Sequence, residues 1–123
     1  MIEINKNIQE IAHNYQTTKR PWGNYTVIEE GARFKIKKVE VNPGSSLSLR
    51  MHHHRSEHWI VVKGMAKIIN NDVEILLRTG ESTYIPSCQR YQLENPGISL
   101  LEMIEVQSGH YIGEDDIVPL TDC

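Results

Sequence analysis

Three consecutive histidines, His52, His53 and His54, followed by Glu57 and His58, are the residues of this chain whose types and spacing most directly permit chemistry. In a strand, alternate side chains share a side, so His52 and His54 project together while His53 projects away. Two imidazoles are then aimed at one point, and a bend before Glu57 brings a carboxylate towards the same centre. Imidazole nitrogen with carboxylate oxygen is a donor set for a divalent ion, zinc or another transition metal. The plainer reading, polar residues on an exposed strand, suits a single histidine better than three in a row. His52, His54 and Glu57 are therefore the candidate metal ligands.

Holding such side chains in register calls for strands. From Asn24 onward, short runs rich in Ile, Val, Leu and Tyr alternate with turn signals at Glu30-Gly31, Asn42-Pro43-Gly44, Lys63-Gly64, Asn70-Asn71-Asp72, Thr79-Gly80 and Asn95-Pro96-Gly97. The pattern predicts strands at Tyr25 to Glu29, Phe34 to Val41, Ser46 to His52, His58 to Val62 and Ala66 to Asn70. Further strands are predicted at Val73 to Leu77, Ser82 to Ile85, Tyr91 to Glu94 and Leu100 to Gln107. Asn70-Asn71-Asp72 predicts a hairpin turn, because Asn tolerates positive φ at little cost. Ahead of the strands, Ile4, Ile8, Ile11 and Tyr15 recur at helical spacing, which predicts a short amphipathic helix ending before Pro21. The expected organisation is a helical lead-in over residues 1–19 and one all-β domain over 20–123.

Composition limits what that domain can be. A chain of 123 residues, 39% hydrophobic and 24% charged, buries a single core. Its net charge of -3 gives no basic field to attract nucleic acid. The apolar runs Trp59 to Val62 and Ile98 to Ile104 are short or interrupted by charge, so neither spans a bilayer. No N-terminal run joins basic residues to a long apolar stretch, so no signal peptide is expected and the cytosol is the expected location. Cys88 and Cys123 are far apart in sequence and are not expected to form a structural disulfide.

Gly44, His52, His54, Glu57 and Gly64 in that order resemble the first cupin motif, with a short step between histidine and glutamate. Gly80, Pro86, Tyr91 and Asn95 resemble the second. A longer resemblance starts at Arg20-Pro21-Trp22-Gly23 and continues through Met51-His52-His53-His54-Arg55, Glu57-His58-Trp59 and Ser82-Thr83-Tyr84-Ile85-Pro86. It goes on through Leu93-Glu94-Asn95-Pro96-Gly97, Ile104-Glu105-Val106-Gln107-Ser108-Gly109 and Gly113-Glu114-Asp115-Asp116. Together these are similar to the type II mannose-6-phosphate isomerase domain. In that family the domain is commonly the C-terminal half of a bifunctional protein whose N-terminal half is a mannose-1-phosphate guanylyltransferase.

The resemblance implies a cupin fold, a double-stranded β-helix or jelly-roll-like barrel, behind the short N-terminal helix, and a homodimer of the kind cupins often form. It implies interconversion of mannose 6-phosphate and fructose 6-phosphate through an enediol, feeding GDP-mannose and polysaccharide precursor synthesis. With no nucleotidyltransferase domain, the chain is not expected to make GDP-mannose itself, and a separate guanylyltransferase is an expected partner. Met1 favours a free-standing protein over a fragment. Met103, Glu105 and Gln107 share one strand face, so Glu105 and Gln107 can look into the barrel, with Glu105 and Arg55 as the catalytic candidates.

Arg50, Arg55 and Arg90 are candidates to bind the phosphate, since a guanidinium fork matches its oxygens. Gln107 and Tyr91 complete the substrate contacts. The departure from the cupin pattern is Tyr91, which stands where the second motif supplies its last histidine, and a phenol is a poor ligand at neutral pH. The site then has three protein ligands with water or substrate completing the sphere, or is a weakened site. The competing functions are a non-catalytic sugar-phosphate or assembly cupin beside a guanylyltransferase, and a metal-dependent dioxygenase.

Overall fold

The computed structural model of the chain describes residues 16–50, 54–70, 72–110 and 112. Within them the chain is all strand and turn. Two strands, β1 (Thr17–Arg20) and β2 (Gly23–Glu30), lead into β3 (Phe34–Val41), β4 (Ser46–Arg50) and β5 (Arg55–Lys63). The hairpin of β6 (Met65–Asn70) and β7 (Val73–Arg78) follows, then β8 (Ser82–Ile85), β9 (Tyr91–Glu94) and β10 (Leu101–Gly109). The lead-in helix of the sequence reading falls outside the described residues. Thr17 to Arg20 form a strand, so the β domain begins before the boundary drawn at residue 20.

The strands make two sheets, ordered β1-β2-β3-β10-β5-β8 and β4-β9-β6-β7. Their inner faces share one core, which joins Val41, Val61, Leu101 and Met103 of the first sheet to Ala66, Ile68, Leu77 and Leu93 of the second. The two-residue period of a strand explains the partition. Along β3, Lys37, Val39 and Val41 are buried while the residues between them are half-exposed.

The register of the central strands stacks this interior in layers. Leu101 lies opposite Val41, and Met103 lies between Val39 and Val61. Glu105 lies between Lys37 and Trp59, and Gln107 lies opposite Glu57. The interior therefore runs from aliphatic at one end to polar and charged at the other.

One local feature fixes each end. Gly109 has φ +156, and a Cβ there would collide with the His54 carbonyl and the Arg55 backbone, so only glycine lets β10 approach the start of β5 so closely. At the other end, Asn95 is fully buried: its amide donates to the carbonyls of Val41 and Ser99, both at 2.9 Å, and its Oδ1 accepts from Gly97 N. The asparagine of the second motif is thus a structural clasp, tying the end of β3 to the loop before β10. The hairpin expected at residues 70–72 is present, with Asn70 paired to Val73 and the positive φ, 67°, carried by Asp72. The cysteine expectation is corrected, because Cys88, also at positive φ, is disulfide-bonded.

Candidate active site

The polar end of the barrel opens into a cavity of about 210 Å³. Its lining comes from β2, β3, β4, β5, β9 and β10, with Arg20 of β1 and Trp22 of the β1–β2 turn. Val39, Leu47, Leu93 and Met103 form an apolar floor. Above it stand Lys37, Arg55, Tyr91, Glu105 and Gln107. An apolar base with a few convergent polar groups is the usual make-up of a small-molecule site.

Glu57 is the most enclosed charge in this region, 1% exposed. Its carboxylate accepts the Tyr91 hydroxyl at 3.0 Å and the Trp59 indole N–H at 3.3 Å. The Arg55 Nε lies 3.8 Å from the same carboxylate, and both side chains are almost wholly buried. Trp59 and Tyr91 also meet edge to face, with ring centroids 4.9 Å apart. Burying a lone carboxylate would be costly, so the guanidinium and two donors are what make Glu57 tolerable here. Tyr91, at the position where the second motif usually has histidine, therefore reaches the glutamate of the first motif and supplies a hydrogen bond to it.

Glu105 and Gln107 face inward together, as alternation along β10 predicts. The Gln107 amide donates to Glu105 Oε1 at 2.9 Å. A carboxylate only accepts, so this bond fixes which end of the amide is nitrogen. The opposite end, Gln107 Oε1, is buried without a hydrogen-bond partner among the described residues.

The sequence candidates divide as follows. Arg55, Tyr91, Glu105 and Gln107 are brought together at one cavity. Arg90 is not among the cavity walls; it pairs at the surface with Asp72 at 3.6 Å. Arg50 ends β4 opposite Tyr91 in the backbone register. Of the proposed ligands, His52 lies outside the described residues, His54 is exposed and Glu57 is enclosed as above. No group of three His, Cys, Asp or Glu placed to hold a metal occurs among the described residues.

Sequence reasoning missed Lys37, Tyr25 and Arg20 as cavity residues. The signal was Lys37 itself, which interrupts an otherwise apolar inward set with Val39 and Val41.

A closed two-sheet barrel with its polar site inside one end defines a cupin. The Cnp3 cupin domain of Schizosaccharomyces pombe superposes with a TM-score of 0.68 over 80% of this chain and 71% of that one, at 12% identity. The family model described as mannose-6-phosphate isomerase C-terminal matches residues 7–122, and the chain belongs to that family. It is 51% identical over 118 residues to mannose-1-phosphate guanylyltransferase 2 of Escherichia coli O157:H7, covering 96% of this chain and 24% of that protein. It is 52% identical over 109 residues to the alginate biosynthesis protein AlgA of Pseudomonas aeruginosa, covering 89% of this chain and 23% of that one. The chain thus spans about a quarter of the length of these relatives. No helix among the described residues is long and apolar enough to cross a membrane.

Proposed function

We propose that this chain is the isomerase module of its family, interconverting mannose 6-phosphate and fructose 6-phosphate in the barrel cavity. The observation that carries the reading is Glu105, a carboxylate placed in the cavity wall and oriented by the Gln107 amide at 2.9 Å. The reaction needs one such base. The hydrogen on C2 of open-chain mannose 6-phosphate leaves as a proton to Glu105, giving an enediolate with its charge on O1; the hydroxyl proton then passes from O2 to O1, and the proton held by Glu105 returns to C1 as the C2 ketone forms. Arg55, at the same wall, would stabilise negative charge on the enediol oxygens. Gln107 Oε1 offers an acceptor to a sugar hydroxyl, which would remove the cost of an unmade buried hydrogen bond.

A divalent ion at His52, His54 and Glu57 is a separable part of this reading, supported by the donor types of the motif. It would polarise the sugar oxygens. Glu57 accepts two hydrogen bonds, one on each carboxylate oxygen, so ligation would use a lone pair that these donors leave. Action as a homodimer, or beside a separate guanylyltransferase, belongs to the same proposal.

The test is steady-state turnover of mannose 6-phosphate by the purified chain and by Glu105→Gln. General-base loss predicts a kcat lower by roughly 10²–10⁴-fold in the variant. Near wild-type turnover by Glu105→Gln would refute the assignment. A chelator arm addresses the ion: activity lost and then restored by a divalent ion supports it, and unchanged activity opposes it.

A further inference from the structure

The Gln107 amide is only half satisfied. Its nitrogen donates to Glu105 Oε1 at 2.9 Å, while its oxygen is buried and meets no donor among the described residues. We propose that this oxygen selects the C3 hydroxyl of the ligand, which makes Gln107 the residue that sets which sugar carbons face Glu105. This deepens the isomerase reading and rests on it for the identity of those carbons.

A buried acceptor without a partner is a standing cost, and buried polar groups in folded chains are nearly always paired. Turning the amide over would not relieve it, because the amide oxygen would then face the Glu105 carboxylate, and neither atom donates. With the nitrogen so committed, the missing partner must be a donor. Gln107 lines the cavity together with Glu105, so a bound ligand can bring one. The oxygen is already out of contact with water and loses no hydration when the ligand arrives, so a hydroxyl seated there contributes more than a solvated contact would.

Polarity decides which ligand atom fits. A phosphate dianion and a carbonyl oxygen only accept, so neither can meet Gln107 Oε1, and the phosphate end of the sugar is turned away from this wall. The oxygen on C1 becomes anionic during the reaction, and the hydroxyl on C2 must release its proton to it. An acceptor held against either would oppose the step. The hydroxyl on C3 keeps its proton throughout. It is also the nearest such group to the reacting carbons, as the spacing requires, since the amide that would hold it already touches the base.

The probe is the hexitol phosphate formed by reducing mannose 6-phosphate at C1, which has no carbonyl and cannot isomerise. It is titrated into the full chain by calorimetry beside its 3-deoxy and 4-deoxy counterparts. Wild type should bind the 3-deoxy compound at least about tenfold more weakly than the parent, and the 4-deoxy compound within about threefold of it. In Gln107→Met, which removes the acceptor and keeps the length of the side chain, the penalty for the missing C3 hydroxyl should fall below about threefold. The wild-type comparison keeps the test valid if Gln107→Met folds poorly. Equal binding of the parent and the 3-deoxy compound, an equal penalty for the 4-deoxy compound, or a penalty that persists in Gln107→Met would overturn the assignment. The expected pattern of binding without turnover of mannose 6-phosphate would sink the isomerase reading and leave the C3 contact standing.

Discussion

At the scale of single residues, the Glu57–Tyr91 contact has the clearest consequence. Tyr91 replaces a histidine of the cupin pattern, and its hydroxyl donates to a carboxylate that is 1% exposed. Tyr91→Phe keeps the ring stacked on Trp59 and removes only that donor, which should destabilise the fold by about 1–3 kcal/mol in chemical denaturation. Stability equal to wild type would mean that Glu57 does not depend on Tyr91. The sequence announced Glu57 through its motif and Tyr91 through its departure from a motif. It did not disclose that the two touch, because their contact spans two sheets and depends on a register that alternation alone leaves open.

At the scale of elements, turn punctuation located most strands. Phe34–Val41, Ser82–Ile85 and Tyr91–Glu94 have the bounds that the sequence pattern predicts. The start of β5 was missed for a physical reason. Its inward residues Arg55 and Glu57 are polar because they line or adjoin the site, and a strand with polar inward positions loses the period-two hydrophobic signal. β1 was missed similarly, since Thr17–Arg20 is a polar, mostly exposed edge strand. Asn95, by contrast, was legible as a motif residue, though its role as a clasp was not. Asn95→Ala would leave two carbonyls and one N–H without their partner and should lower stability by at least about 2 kcal/mol, measured by denaturant midpoint. A loss within ~0.5 kcal/mol, typical of surface substitutions, would contradict the clasp.

At the scale of the whole molecule, the barrel separates support from chemistry along its axis. Val41, Leu101, Ile68 and Ala66, all fully buried, close one end, and the polar layer of Lys37, Glu105 and Gln107 sits at the other. The relatives with which the chain aligns are about four times its length, so the account makes a specific demand: the barrel alone must perform the proton transfer. The most direct measurement is ¹H NMR of mannose 6-phosphate incubated with the purified chain in D₂O, with divalent ion supplied. The account predicts fructose 6-phosphate formation, with solvent deuterium entering C1 to the extent that the base exchanges its proton, and loss of both signals in Glu105→Gln. Mannose 6-phosphate that remains unconverted, with its C2 hydrogen intact, would contradict it.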